Sequence, residues 1–77
     1  MKAAPQAWFD SIVRKRVIVH HKGSPSIDGL LVAVMADGVL LRGAKLLEDD
    51  GKQIALAGEV FVPRENIGFV QLVDPEP

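Results

Sequence analysis

From Val17 onward the chain is a succession of five short β-prone runs, each closed by turn-forming residues, and this rhythm restricts it to a small, mainly β architecture. The runs are Val17–Lys22, Ile27–Met35, Val39–Leu47, Ile54–Val62 and Ile67–Val73. Between them stand Gly23-Ser24-Pro25-Ser26, Ala36-Asp37-Gly38, Glu48-Asp49-Asp50-Gly51-Lys52 and Pro63-Arg64-Glu65-Asn66. Glycine there permits positive φ, proline fixes φ, and aspartate and serine bond to nearby backbone, so these clusters turn the chain. Asp37-Gly38 predicts a tight hairpin of type I′, with positive φ. Gly29 falls inside a run, where a bend or a close backbone approach is expected.

The run Ile27–Met35 carries a second constraint. Strict alternation places Ile27, Gly29, Leu31, Ala33 and Met35 on one face and Leu30, Val32 and Val34 on the other, and both faces are apolar. A half-solvated antiparallel strand alternates apolar with polar residues. This one must be covered on both sides, by the curl of its own sheet and by a helix or a neighbouring copy. A helix is predicted over residues 5–13. Pro5 suits a first turn, and Trp8, Phe9, Ile12 and Val13 form one apolar stripe. Arg14-Lys15-Arg16 would close that helix, where positive charge complements the dipole. A phosphate-contact patch is the functional alternative, and a solvated helix end the plainer one.

Composition sharpens the problem. A chain of 77 residues buries only about 60% of its unfolded surface and is marginal alone. It contains no cysteine, so neither a disulfide nor a thiolate-bound metal can reinforce it. Yet 48% of its residues are hydrophobic and its mean hydropathy is +0.19. Self-association is the expected outlet for that excess. The net charge of −1 and pI near 6.0 provide no general basic field for nucleic acid. Residues 1–6 lack the apolar core of a secretory signal, and no apolar run approaches the roughly 20 residues of a membrane helix. A soluble, cytoplasmic protein with no membrane partner is expected.

Two segments carry a family resemblance, Asp28–Ala44 and Leu56–Gln71. In the first, Gly29, Leu31, Val34, Leu41 and Ala44 resemble the first signature motif of the Sm/LSm (Hfq-related) superfamily. In the second, Gly58, Val60, Val62, Asn66, Ile67 and Val70 resemble the second motif. The likeness spans about residues 5–73, and the short chain is similar in style to bacterial or bacteriophage Sm-like proteins. It implies one domain over residues 1–77: a helix about 5–13, a barrel about 16–73 and a disordered tail 74–77. The implied fold is mainly β, an N-terminal α-helix followed by a five-stranded antiparallel SH3-like barrel of Sm type.

The resemblance also implies a ring, in which the fourth strand of one copy pairs with the fifth of the next. Val60, Phe61, Val62, Ile67, Phe69 and Val70 have the β-branched and aromatic content for that interface. It further implies a single-stranded RNA partner. The family's uridine pocket uses an Asp–Asn pair, an arginine and a stacking side chain from the first-motif turn. Here Met35 stands at the aspartate position, no asparagine lies near Gly38, and Pro63-Arg64 replaces Arg-Gly, displacing the arginine by one residue. Asp37, Gly38, Arg64 and Asn66 remain the candidate RNA contacts. The competing reading makes Pro63–Asn66 a tight turn and the protein an interaction ring, of phage-like origin, that has lost the pocket.

Other chemistry finds little support. His20 and His21 are the only histidines, and adjacent strand residues point to opposite faces, so they cannot readily chelate one metal. His21 is expected to face inward with Val17 and Val19, and His20 outward. The acidic loop Glu48–Gly51 lacks the alternating oxygen ligands and final glutamate of an EF-hand. Ser24 and Ser26 have no paired base, and the glycines are scattered singly instead of forming a phosphate loop. The expectation is a non-enzymatic protein with no cofactor, no metal and no small-molecule substrate.

Overall fold

The computed structural model describes residues 4–23 and 25–73. The helix α1 (Ala4–Ser11) precedes strands β1 (Arg16–His21), β2 (Ser26–Met35), β3 (Gly38–Leu47), β4 (Gln53–Pro63) and β5 (Ile67–Leu72). A 3-10 turn, Arg64–Asn66, joins the last two strands. All five form a single sheet in the order β4-β3-β2-β1-β5, every neighbouring pair antiparallel. A short helix before five antiparallel strands is the expected fold class. The tail 74–77 lies outside the described residues.

The core is built from every layer of the sequence. Ile12, Val17, Val19, Ile27, Leu31, Val39, Leu41, Ala44 and Val62 are buried, and Phe9, Val60, Ile67, Val70 and Leu72 are among those packed around them. Residues from both ends of the sheet thus share one interior with the segment that follows α1. A flat sheet could not do this; the sheet curls. Irregular pairing marks where it bends: between Asp28 and Leu30, between Leu31 and Ala33, and between Arg42 and Ala44. An unpaired extra residue bends a strand and increases its twist. At the Arg42/Ala44 irregularity the chain uses Gly43 and Gly58, with φ of 59° and 74°, a region costly for residues with a Cβ. Gly29 serves a close approach, since a Cβ there would lie 3.3 Å from those of Leu41 and Ala44.

The structure departs from the sequence reading at four places. First, the helix ends at Ser11, not residue 13. The Arg14 N–H donates to the Leu31 carbonyl at 2.6 Å, and the Lys15 carbonyl accepts from the Leu31 N–H at 2.9 Å. Once β2 takes those backbone groups the helix cannot continue, and Arg14 adopts φ 76°. The basic run is therefore a connection, not a helix end, and Arg16 opens β1 in an ion pair with Asp28.

Second, the bulge between Leu31 and Ala33 reverses the alternation in β2. Ile27, Gly29 and Leu31 face the core as expected; beyond the bulge Val34 packs inward, while Met35 is 43% exposed. Third, the Ala36-Asp37 hairpin is not a type I′ turn, because Ala36, Asp37 and Gly38 all have negative φ. Gly38 is required for a different reason: a Cβ there would lie 2.3 Å from the Val62 carbonyl oxygen and 2.5 Å from the Phe61 ring. Fourth, His20 and His21 are both half-buried, with no clean inward and outward division. The His21 Nδ1–H donates to the Pro25 carbonyl at 2.7 Å.

Candidate functional site

The hairpin between β2 and β3 meets the 3-10 turn at one end of the curled sheet. Gly38 and Pro63 are register partners, which brings the two turns side by side. The Arg64 N–H donates to the Asp37 carbonyl at 2.9 Å, and the Arg64 Nη1–H donates to the Ala36 carbonyl at 3.3 Å. One arginine thus pins the hairpin tip with backbone and side chain together. Between these elements lies a cleft of about 170 Å³, lined by Phe9, Val34, Met35, Ala36, Gly38, Val39, Arg64 and Ile67. Its walls are mostly apolar, and Arg64 contributes the one charged side chain of the lining.

The four candidate RNA contacts are only partly assembled there. Arg64 lines the cleft with an exposed side chain, and Gly38 lines it as a buried residue. Asp37 is exposed and offers the carbonyl that Arg64 holds, but its side chain is not part of the lining. Asn66, also exposed, stands at the far end of the 3-10 turn, where its carbonyl accepts from the Lys22 N–H at 3.0 Å. The sequence reading did not offer Phe9, Val34, Val39 and Ile67 as cleft residues, and it met Met35 only as the residue standing at the family's aspartate position. Val34 could not have been placed without the bulge, and Phe9 could not without knowing where α1 docks.

The six candidate interface residues divide by burial. Val62 belongs to the core at 1% exposure, while Val60, Ile67 and Val70 pack on the core and are half-buried. Phe61 and Phe69 are 42% and 61% exposed. Their strands β4 and β5 are the two ends of the sheet, so each presents a row of backbone groups with no ladder partner. Phe69 stacks on the His20 ring, with centroids 4.2 Å apart and planes inclined by 15°. The His20 Nε2–H donates to Gln71 Oε1 at 2.9 Å, and its Nδ1 accepts from the Ser26 hydroxyl at 3.1 Å. Both ring nitrogens are therefore occupied within the protomer. Among the described residues no group of three or more His, Cys, Asp and Glu could hold a metal ion, and no helix is long and apolar enough to cross a membrane.

A curled antiparallel sheet in this order, with a helix before it, a 3-10 turn between its edge strands and a cleft where that turn meets a hairpin, defines an Sm-type fold. No protein-family model matches the chain, and no curated protein matches it significantly. Solved structures do. The SmAP1 heptamer of P. aerophilum is similar over 96% of this chain and 99% of its own, with a TM-score of 0.86 and 27% identity. A heptameric archaeal Sm protein matches over 88% of this chain and 98% of its own, with a TM-score of 0.80 and 28% identity. The Sm protein of Pyrococcus abyssii in complex with a uridine heptamer shares the fold, with a TM-score of 0.82 and 20% identity over 90% of this chain and 97% of its own. The chain belongs to the Sm/LSm-like superfamily.

Proposed function

We propose that the chain is a ring-forming, non-enzymatic Sm-like scaffold, a homo-oligomer that binds single-stranded RNA at the cleft between the β2–β3 hairpin and the 3-10 turn. The observation that carries the reading is the pair of open edges. Each protomer ends in β4 on one side and β5 on the other, with an exposed phenylalanine on each. A contact from one edge to the opposite edge of another copy is heterologous, and it closes into a ring when the rotation permits. It would also cover the half-buried Val60, Ile67 and Val70, which face the core at the two places where the sheet stops. Two of the similar structures are heptamers, which supports a ring, and a third holds a uridine heptamer, which supports the RNA partner. Arg64 supplies the positive charge at the cleft. A cytoplasmic location accompanies this reading, with no cofactor or small-molecule substrate.

Size-exclusion chromatography with light scattering tests the ring, and fluorescence polarisation with labelled oligouridine at several salt concentrations tests the ligand. Binding that weakens steeply with salt reports phosphate contacts. A monomer at micromolar concentration would refute the ring. One observation favours a second reading, an interaction ring without RNA: the cleft has neither a carboxylate nor an amide side chain in its lining. A stable oligomer that ignores every oligonucleotide at low salt selects that reading.

A further inference from the structure

We infer that the first half of β4, residues 53–57, is a strand-addition site for an extended segment of another protein, one in which apolar residues alternate with an acidic one. The inference rests on the ring reading above and goes beyond it. β4 has eleven residues and β5 has six, so a ring contact that engages all of β5 leaves five residues of β4 open. The ring contact takes the half beside the 3-10 turn, where Val60 packs on the core and Phe61 is exposed. Gly58, at φ 74°, and the irregular pairing between Arg42 and Ala44 bend the strand between the two halves.

An open edge recruits another strand through its unpaired N–H and C=O groups unless charge, proline or a cover blunts it. Residues 53–58 read Gln-Ile-Ala-Leu-Ala-Gly, with neither a charge nor a proline. Their outward backbone groups have no ladder partner, since β4 ends the sheet. Such an edge dictates its own ligand: an extended backbone completes the ladder, and alternate side chains on it confer specificity.

The two faces of this stretch specify those side chains. On the core side, Leu56 pairs with the buried Ala44, and Ile54 pairs with Leu46, itself opposite Ile27 of the core. Ile54 is nonetheless 44% exposed, because the sheet stops beside it. Apolar residues of an added strand would cover Ile54 and Leu56. On the outer side Ala55 pairs with Lys45, which is exposed and has no ion-pair partner among the described residues. Asp28, the cross-strand neighbour of Lys45 on β2, is held by Arg16. An added strand lies about 10 Å from β3, two strand spacings away, and the small Ala55 between them leaves a lysine and a glutamate free to meet. A carboxylate on the added strand is thereby favoured over an ammonium.

The test is fluorescence polarisation of the full chain at low salt with a labelled seven-residue peptide in which valine alternates with threonine, glutamate and threonine. A second peptide carries lysine in place of the glutamate, and light scattering on the same samples follows the ring. The glutamate peptide is expected to bind about threefold or more tightly than the lysine peptide, with the ring intact. K45E is expected to reverse that order. I54K turns a charge toward the apolar side of the added strand and is expected to weaken both peptides about tenfold while the ring is retained. A ring that binds neither peptide, or both equally, overturns the inference and leaves the ring reading standing. So does an order of affinities that K45E leaves unchanged. Peptide that splits the ring into smaller particles competes with β5 for the other half of β4 and overturns the inference too. A chain that is monomeric without peptide overturns the ring reading and the inference with it.

Discussion

Replacing Gly38 with alanine tests the packing argument at its tightest point. The added Cβ would lie 2.3 Å from the Val62 carbonyl oxygen and 2.5 Å and 2.8 Å from two atoms of the Phe61 ring. Phe61 is 42% exposed and its ring can swing away. The Val62 oxygen cannot, because it belongs to backbone registered against Val39, with a side chain 1% exposed in the core. Relief requires β3 and β4 to separate where the cleft is built. Overpacking of this kind costs about 1–3 kcal/mol, and the backbone contact puts G38A toward the upper end. Each kcal/mol lowers Tm by roughly 4–8 °C in a domain of this size. Urea melts at several protein concentrations measure the loss while separating it from any effect on association. G38N sharpens the test, since asparagine tolerates positive φ better than alanine does. If Gly38 were needed for φ, G38N would be the milder change; if it is needed for space, G38N is the worse. Stability of G38A within about 0.5 kcal/mol of wild type, or G38N more stable than G38A, would mean that lack of space beside the Val62 carbonyl is not what requires glycine there.

Three further outcomes follow from the packing and the edges. Leu41→Ala empties a fully buried core position and should cost about 2–5 kcal/mol in the same urea melts. Glu59→Gln breaks the exposed ion pair with Arg42 and should change stability by less than about 1 kcal/mol, less still in added salt, because exposed pairs are well screened. Phe69→Lys places a charge on the open edge strand β5 and removes the ring stacked on His20, so light scattering should show smaller particles while the far-ultraviolet dichroism of the protomer is retained.

Much of the architecture was legible because it rests on local chemistry. The five runs of β-branched residues match the five strands to within a residue or two, and the expected turn clusters lie between them. What stayed hidden depends on contacts distant in sequence. The helix stops early because Leu31, about twenty residues on, captures the backbone of Arg14 and Lys15. The face reversal in β2 comes from a bulge against β3 that no periodicity reveals. Gly38 was rightly singled out but for the wrong cause, since the pressure on it comes from β4 and not from its own turn. At the cleft, Arg64 was reached only through the resemblance of Pro63-Arg64 to the family's Arg-Gly, whereas the apolar walls come from α1, β2, β3 and β5 and become a site only when folded. The fold was therefore more readable than the site.

The β3–β4 loop offers a practical consequence. Glu48 to Lys52 closes on itself: the Glu48 N–H donates to the Lys52 carbonyl, the Gly51 N–H to the Glu48 carbonyl and the Lys52 N–H to Asp50 Oδ1. It sits at the opposite end of β3 from Gly38, ten residues from the cleft. Lengthening an exposed, self-contained tip adds little loop-closure entropy. An epitope or reporter peptide grafted between Asp49 and Asp50 would thus be displayed far from the cleft, a convenient handle for following the molecule in living cells.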